Sequence, residues 1–238
     1  MTSNRALGGF FITGTDTGVG KSVIATALVR GFVAQGLRVA VMKPVASGSQ
    51  RTPDGLRNDD ALALLAASNV PAPYALINPY CFEPPISPHI AAQESEIGVD
   101  LRHVRGNFET LAGMADLTIV EGAGGWLAPI SSAASIQELA LELGLPVLLV
   151  VGMRLGCINH ARLTKLAIEA CGAQLAGWVA NAVDPTMARP RENLETLTKL
   201  LGEPPLAVVS WQVQDSPPLA LTVSLTRREP PQSSLLHR

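Results

Sequence analysis

Residues 14–22, GTDTGVGKS, combine three glycines with a lysine and several hydroxyl side chains. They follow the hydrophobic run 9–13 and precede an apolar-periodic segment at 23–33, so the sequence predicts a strand, a glycine-rich turn and a helix. Such a turn points backbone N–H groups at phosphate oxygens, and the helix N-terminus adds positive potential. Lys21 would then contact the outer phosphates and Ser22 would bind Mg²⁺. The pattern predicts a nucleotide-binding P-loop, with one residue more than the usual spacing between its first and last glycines. The alternative is an ordinary turn in which the lysine is solvated.

Polar residues also follow three other predicted strands. Lys43, Glu121 and Asn181 each come directly after an apolar run that is typical of a buried strand. The carboxyl ends of parallel strands meet at one edge of a sheet, where the P-loop also lies. We therefore expect these three residues to converge on the phosphate site.

Two carboxylates are candidates for holding a magnesium ion. Glu121 precedes the glycine turn 122–125, at the position where P-loop proteins carry the acidic group of the magnesium shell. Asp60 begins a predicted helix at 59–68 and is the second candidate, although a favourable interaction with the helix dipole would also explain it.

Lys43 is the candidate group for a second anion. A lysine at a strand end is most often solvated. Here, however, Ser47 follows four residues later and Lys21 is expected nearby. Two ammonium groups and a hydroxyl form a pocket suited to a carboxylate or carbamate beside the terminal phosphate of a nucleotide.

Strands and helices alternate in the rest of the sequence. Residues 146–151 are the most apolar strand, Asn58 would cap the helix at 59–68, and Ser135 with Glu138 forms a capping box. This alternation predicts an α/β protein with the three-layer P-loop NTPase fold, in which helices flank a mostly parallel central sheet.

Three segments have no clear periodicity. Residues 45–57 are predicted as a long polar loop, 69–90 as proline-rich irregular structure, and 152–158 as a glycine-interrupted loop. We expect residues 1–214 to form a single domain and the proline-rich residues 215–238 to be a flexible tail.

The composition excludes several classes of protein. The chain has 238 residues, 47% of them hydrophobic and 16% charged, which argues against disorder, and its net charge of −2 gives no reason to expect a nucleic-acid partner. Cys81, Cys157 and Cys171 lack the spacing of a disulfide framework or a zinc site. With no apolar run near the ~18 residues of a membrane span and no signal peptide, we expect a soluble cytoplasmic protein with no membrane contact.

Beyond the P-loop, the sequence resembles the dethiobiotin synthetases from about residue 10 to residue 211. The P-loop alone indicates only nucleotide binding, but the lysine-bearing and GAGGW segments are specific to this family, and the longer glycine spacing is the family's own variant. The segments that carry the resemblance are GTDTGVGKS, KPVASG (43–48), GLRNDD (55–60), NPY (78–80), SPH (87–89), VEGAGGW (120–126), LGCINH (155–160) and GWVAN (177–181).

The resemblance implies an ATP- and Mg²⁺-dependent ring closure in biotin synthesis. In this reaction 7,8-diaminononanoate and CO₂ give dethiobiotin, with ATP converted to ADP and phosphate. A carbamate forms on the substrate, ATP phosphorylates it to a carbamic–phosphoric mixed anhydride, and the second amine closes the ring. The resemblance also implies a homodimer with the substrate near its interface.

Residue roles are implied by position in the family's motifs. The implied catalytic residues are Thr17, Lys21, Lys43 and Ser47. The implied nucleotide site comprises Thr17, Gly18, Val19, Gly20, Lys21, Ser22 and Val23 at the phosphates, with Asn181, Ser210, Trp211 and Gln212 near the adenine. The implied metal ligands are Ser22, Asp60 and Glu121. The implied substrate site comprises Lys43, Ser47, Gly124, Gly156, Cys157, Ile158 and Asn159, the last four across the dimer interface.

Two other function classes share the P-loop. A partner-switching ATPase of the MinD/ParA type usually carries an additional lysine early in the loop, where this chain has Thr15 and Asp16. A GTPase is a further alternative, but Asn181 is not followed by the Lys-x-Asp pattern that reads guanine.

Overall fold

Strands and helices alternate along the chain, as the sequence predicts. A computed structural model describes residues 8–211. The strands are β1 (Gly9–Gly14), β2 (Val39–Met42), β3 (Val45–Ala46), β4 (Gln50–Thr52), β5 (Gly55–Arg57), β6 (Tyr80–Cys81), β7 (Leu117–Glu121), β8 (Val147–Met153), β9 (Leu175–Ala182) and β10 (Ala207–Val209). The helices are α1 (Lys21–Ala34), α2 (Asp59–Ala67), α3 (Tyr74–Ile77), α4 (Pro88–Glu94), α5 (Leu101–Gly113), α6 (Ile136–Leu143), α7 (Cys157–Ala170) and α8 (Pro190–Leu201).

Six strands form one sheet in the order β10-β9-β8-β1-β7-β2, and every pairing in it is parallel. All residues of β1 and β8 are buried, as expected for central strands that helices cover on both sides. The predicted α/β class, with helices flanking a parallel sheet, is confirmed. Because the strands run the same way, their carboxyl ends lie along one edge, which bears the P-loop and Glu121.

Hydrophobic packing holds the helices on this sheet in two clusters. The larger cluster joins α1, α2, α5 and α6 to the sheet and includes the fully buried Phe11 and Ile24. A second cluster, which contains Leu149, Trp178 and Leu197, joins α7 and α8 to β8 and β9. The sheet edge that carries the polar residues is therefore fixed to a close-packed core, which limits how far those residues can move.

The predicted caps are confirmed. The Asn58 side chain accepts hydrogen bonds from the backbone N–H groups of Asp60 and Ala61, at 3.1 and 3.3 Å. Ser135 and Glu138 form the capping box of α6. Both signals depend on residues within one turn of the helix, so sequence alone suffices to find them.

The segments without periodicity contain more regular structure than the sequence predicts. Residues 45–57 contain β3 and the antiparallel hairpin β4–β5, and residues 69–90 contain α3, β6 and the start of α4. β3 pairs with β6, a contact between segments more than 30 residues apart that local sequence does not signal. β8 continues to Met153, and β9 continues through Asn181 to Ala182. Gln212 and the predicted tail at 215–238 lie outside the described residues.

Candidate functional site

The P-loop joins β1 to α1 and places Lys21 at the first position of the helix. The Lys21 side chain is buried, and its Nζ donates a hydrogen bond to the backbone oxygen of Asp16 at 3.0 Å. The Asp16 carboxylate accepts from the backbone N–H of Thr17 at 2.7 Å and pairs with Arg154 at 2.6 Å. The lysine amine is therefore held against the backbone of its own loop.

Gly20 and Asn181 fix the backbone conformation at the end of the P-loop. Gly20 has φ +84°, in the left-handed region, and a Cβ atom there would lie 2.1 Å from Asn181 Nδ2. This Nδ2 donates to the backbone oxygen of Val19 at 2.9 Å. Only glycine combines the backbone angle with this close approach, so β9 supports the loop through one buried asparagine.

Glu121, the last residue of β7, joins the P-loop to Lys43. Its Oε1 atom accepts a hydrogen bond from the Ser22 hydroxyl at 2.7 Å and another from Lys43 Nζ at 2.6 Å. Lys43 Nζ also donates to the backbone oxygen of Gly122 at 3.1 Å. Glu121 is fully buried and Lys43 nearly so. The two residues are a buried ion pair in which each charge has a partner.

Asp60 completes the charged cluster from α2. Its Oδ2 atom lies 3.2 Å from Lys43 Nζ, and 44% of its side chain is exposed. The carboxylate lies in the first turn of a helix whose N-terminus also favours negative charge. Lys43 is thus held between two carboxylates from different elements.

The surroundings shift the pKa values of the two lysines in opposite directions. Burial, together with the positive charge of Lys43, lowers the pKa of the Lys21 ammonium to about 8. Burial opposes the charge on Lys43 as well, but the Glu121 and Asp60 carboxylates outweigh it and raise the pKa of this ammonium. Burial of Asp60 opposes its charge, yet Lys43 holds the pKa of this carboxyl below its ordinary value. Near neutral pH, Lys43 and Asp60 are charged, and Lys21 is the lysine nearer to losing its proton.

These groups line a cavity of about 980 Å³ beside the P-loop. Its wall contains most of the residues that the sequence predicts for the site, in four separate segments of the chain. The predicted residues that line it are Thr17, Gly18, Gly20, Lys21, Ser22, Val23, Lys43, Ser47, Asp60, Glu121 and Gly124. The cavity is large enough for a nucleotide phosphate chain and a small organic substrate together.

One wall of the cavity consists of residues that the sequence analysis did not select. Ile86, Ser87, Pro88 and Ile90 line it from the start of α4 and the segment before it. Ile86 and Ile90 give this wall an apolar character. Ser87 and Pro88 belong to the SPH segment (87–89), which was the only signal in sequence, since the region has no periodicity.

Other predicted site residues lie away from this cavity. Cys157 is buried in the second hydrophobic cluster and Ile158 packs half-buried against it, whereas Gly156 and Asn159 are exposed at the start of α7. Val19, within the P-loop, and Asn181, in β9, are both buried. Ser210 and Trp211 are exposed after β10, and Gln212 lies outside the described residues.

The charged cluster has the donor atoms that Mg²⁺ prefers. The Ser22 hydroxyl and the carboxylates of Asp60 and Glu121 are all oxygen donors. The Oε2 atom of Glu121 is buried and has no hydrogen-bond partner among residues 8–211. A buried carboxylate oxygen without a donor is costly, and a cation would satisfy it. The predicted metal ligands therefore fit a divalent ion.

Sequence comparison places the chain among known enzymes. It is 50% identical over 222 residues to the ATP-dependent dethiobiotin synthetase BioD of Pseudomonas paraeruginosa (strain DSM 24068 / PA7), covering 92% of this chain and 96% of that protein. It is 48% identical over 203 residues to the protein of the same name from Xanthomonas oryzae pv. oryzae (strain PXO99A), covering 85% and 91%. The chain belongs to the dethiobiotin synthetase family. A family model described as an AAA domain also matches residues 8–218 of this chain.

Two solved structures resemble this member of the dethiobiotin synthetase family in fold at low sequence identity. The MinC:MinD cell division protein complex of Aquifex aeolicus matches with a TM-score of 0.56 at 14% identity, over 90% of this chain and 88% of that one. A ParA family ATPase of Chlorobium tepidum TLS matches with a TM-score of 0.51 at 16% identity, over 88% and 87%. At such low identity the likeness shows a common P-loop architecture and says nothing about a shared activity.

Within residues 8–211, every helix is too short or too polar to cross a bilayer.

Proposed function

We propose that this protein is an ATP-dependent dethiobiotin synthetase that converts 7,8-diaminononanoate and CO₂ to dethiobiotin, with ATP giving ADP and phosphate. The observation that carries the proposal is that Lys43 and the P-loop lysine Lys21 line one cavity in a member of this family. The P-loop accounts for the nucleotide, and the second buried lysine accounts for a second anion next to the terminal phosphate.

Thr17, Lys21 and Ser22 bind the nucleotide phosphates in this proposal. The N-terminus of α1, a helix of 14 residues, adds positive potential at the same place. Asn181 and the segment 210–212 would face the adenine, although Asn181 also supports the P-loop through its bond to Val19.

Ser22, Asp60 and Glu121 would hold the magnesium ion. Such an ion neutralises the negative charge on the phosphoryl group that is transferred. The unpartnered Oε2 atom of Glu121 and its position beside the Ser22 hydroxyl support this assignment.

The first step is the capture of CO₂ by one substrate amine. A free alkylamine has a pKa near ~10, so it must lose a proton before its lone pair can attack the carbon of CO₂. The positive charges of Lys21 and Lys43 lower the pKa of an amine bound beside them. Attack of the neutral amine forms a C–N bond and turns one C=O bond of CO₂ into a carboxylate, and loss of one of the two protons on nitrogen to solvent leaves a carbamate anion. The Lys43 ammonium and the Ser47 hydroxyl then bind this anion.

The next steps transfer a phosphoryl group and close the ring. A carbamate oxygen attacks the terminal phosphorus of ATP, ADP leaves, and a carbamic–phosphoric mixed anhydride forms. The second amine attacks the carbonyl carbon of this anhydride and expels inorganic phosphate, which gives the cyclic urea. Because both amines belong to one molecule, ring closure gains the effective concentration of an intramolecular reaction. The protein supplies placement and charge, and none of its side chains becomes covalently attached.

A homodimer accounts for the predicted substrate residues that lie away from the cavity. Leu163 and Leu166 on α7 are 57% and 60% exposed, and the neighbouring Leu155 is 94% exposed. Exposed leucines grouped on one helix are typical of an interface between subunits. With two copies joined through α7, residues 156–159 of one copy would contact the substrate bound by the other.

Product formation tests the proposal directly. Purified protein is incubated with 7,8-diaminononanoate, MgATP and ¹³C-labelled bicarbonate, and dethiobiotin is detected by mass spectrometry. We expect one labelled carbon in each product molecule and ADP release only when the diamine is present. Steady ATP hydrolysis without the diamine, and no labelled product with it, would support a partner-switching ATPase and reject the synthetase.

A further inference from the structure

A hydrogen-bond network beside the cavity centres on Tyr74, the first residue of α3. The Tyr74 hydroxyl accepts a hydrogen bond from the backbone N–H of Asn58 at 2.8 Å and donates one to Asn78 Oδ1 at 3.0 Å. Burial raises the pKa of this hydroxyl to about 12. It therefore keeps its proton near neutral pH and joins two segments of the chain by one accepted and one donated bond.

One branch of the network ends at the backbone of Lys43. The side chain of Asn78 is buried, and its Nδ2 atom donates to the backbone oxygen of Lys43 at 2.6 Å. The backbone N–H of Lys43 donates to the Ile77 oxygen at 2.8 Å. Residues 77 and 78 thus hold both the backbone N–H and the backbone oxygen of Lys43, the residue directly after β2.

The other branch ends at Ser47 and at the start of α2. Asn58 Nδ2 donates to the backbone oxygen of Ser47 at 3.3 Å. Asn58 Oδ1 accepts from the backbone N–H groups of Asp60 and Ala61. Tyr74 therefore holds the main chain of Asn58, and the side chain of Asn58 in turn holds the backbone of Ser47 and of Asp60.

We propose that Tyr74 is a positioning residue that sets the relative placement of Lys43, Ser47 and Asp60 around the cavity. These three groups come from separate segments, and the Tyr74 hydroxyl is the point where their backbone supports meet. The Arg57 guanidinium lies 4.3 Å from the centre of the Tyr74 ring and fixes the ring itself. The kinetic part of this inference rests on the proposed synthetase function.

Tyr74→Phe isolates the hydroxyl, because phenylalanine keeps the ring beside Arg57. Both network partners then lose their bond, and small displacements of reacting groups are costly, so kcat for dethiobiotin formation should fall about 10- to 100-fold. The Kd for ADP, measured by calorimetry, should change less than about 3-fold, because no bond of this network reaches the P-loop. A merely structural role would lower the melting temperature and the yield of folded enzyme without separating kcat from ADP binding.

Tyr80→Phe is the matched control. The Tyr80 hydroxyl also accepts a hydrogen bond from a backbone N–H, that of Asp100 at 2.9 Å, at the start of α5. This variant loses a comparable bond but leaves the supports of Lys43 intact, so its kcat should stay within about 2-fold of wild type. An unchanged kcat in Tyr74→Phe, or an equal loss in both variants, would overturn the proposal.

A second readout needs no substrate. Amines react with acetic anhydride only when they are unprotonated and accessible. The buried and ion-paired Lys43 should therefore be labelled slowly at pH 9. Peptide mass mapping measures this labelling, with the exposed Lys199 as the reference. Tyr74→Phe should raise the ratio of Lys43 to Lys199 labelling about 3-fold or more, whereas Tyr80→Phe should leave it unchanged. If wild type forms no dethiobiotin, the synthetase function fails, but this ratio still judges the positioning role. An unchanged ratio in Tyr74→Phe overturns that role in either case.

Discussion

Lys43 Nζ and the Ser22 hydroxyl donate to the same atom, Oε1 of Glu121, at 2.6 and 2.7 Å. Ser22 belongs to the P-loop, whereas Lys43 lies on the side of the cavity assigned to the substrate anion. One buried carboxylate therefore connects the nucleotide side of the site to the substrate side. Any change at Lys43 or Glu121 should therefore affect the other group.

Lys43→Gln should abolish most ring closure while the protein still binds nucleotide. Glutamine retains a hydrogen-bond donor near Glu121 but removes the positive charge that stabilises the carbamate, so kcat should fall at least about 100-fold. The Kd for ADP should change less than about 3-fold, because Lys43 reaches the P-loop only through Glu121, to which the glutamine amide can still donate a hydrogen bond. Dethiobiotin formation and calorimetric ADP binding measure the two quantities. Lys199→Gln, on the exposed face of α8, is the control, and full activity of Lys43→Gln would remove Lys43 from the mechanism.

Glu121→Gln should raise the Mg²⁺ concentration needed for half-maximal rate. The substitution keeps the shape of the side chain but removes the charge of a proposed ligand, and the loss in metal affinity should be about 10-fold or more. The Mg²⁺ titration is the readout rather than the rate itself, because the variant also removes the charge that faces Lys43. Glu195→Gln, which alters an exposed pair with Arg191, should leave the titration unchanged. The same half-maximal concentration in Glu121→Gln and wild type would contradict the assignment.

Nucleotide affinity should fall as the pH rises through the Lys21 titration. The pKa of Lys21 is lowered to about 8 by burial and by Lys43, so the amine loses its proton above this pH. Phosphate oxygens favour the charged amine, so binding takes up a proton at high pH, and the Kd for ADP should rise about tenfold between pH 7 and pH 9. Calorimetry at constant ionic strength measures this change. In Lys21→Arg the guanidinium stays charged over this range, so its Kd should vary much less. An equal pH dependence in the two proteins would exclude Lys21 as the titrating group.

The parts of the fold that sequence predicted are those with local causes. The P-loop, the Asn58 cap and the Ser135–Glu138 capping box each depend on residues a few positions apart. The hairpin β4–β5 was missed because its strands are short and contain no buried residue, although Pro53 and Asp54 between them are typical turn residues. The pairing of β3 with β6 joins two-residue strands far apart in the chain, and periodicity cannot detect strands of this length.

In the candidate site, too, sequence predicted some features and missed others. Placing Lys43 and Glu121 at strand ends was enough to predict that they converge, because the topology of a parallel sheet brings those ends together. That they form a direct ion pair, and that Asp60 joins it, depends on side-chain packing between segments separated by up to 78 residues. The role of Tyr74 was not predicted for the same reason, since its hydroxyl contacts Asn58 across 16 positions.

Leu163→Glu should dissociate the proposed homodimer. Leu163 is 57% exposed on α7, next to the residues 156–159 that would reach the partner's substrate, and a buried carboxylate without a partner strongly opposes association. Light scattering after size-exclusion chromatography should report one chain mass instead of two. The KM for the diamine should also rise about 10-fold or more, because the partner no longer supplies its part of the substrate site. Leu200→Glu on α8, where the leucine is 43% exposed, should leave both quantities unchanged. If wild type is already a monomer, or if Leu163→Glu remains a dimer, α7 is not the interface, and residues 156–159 have no role in binding the substrate of a second chain.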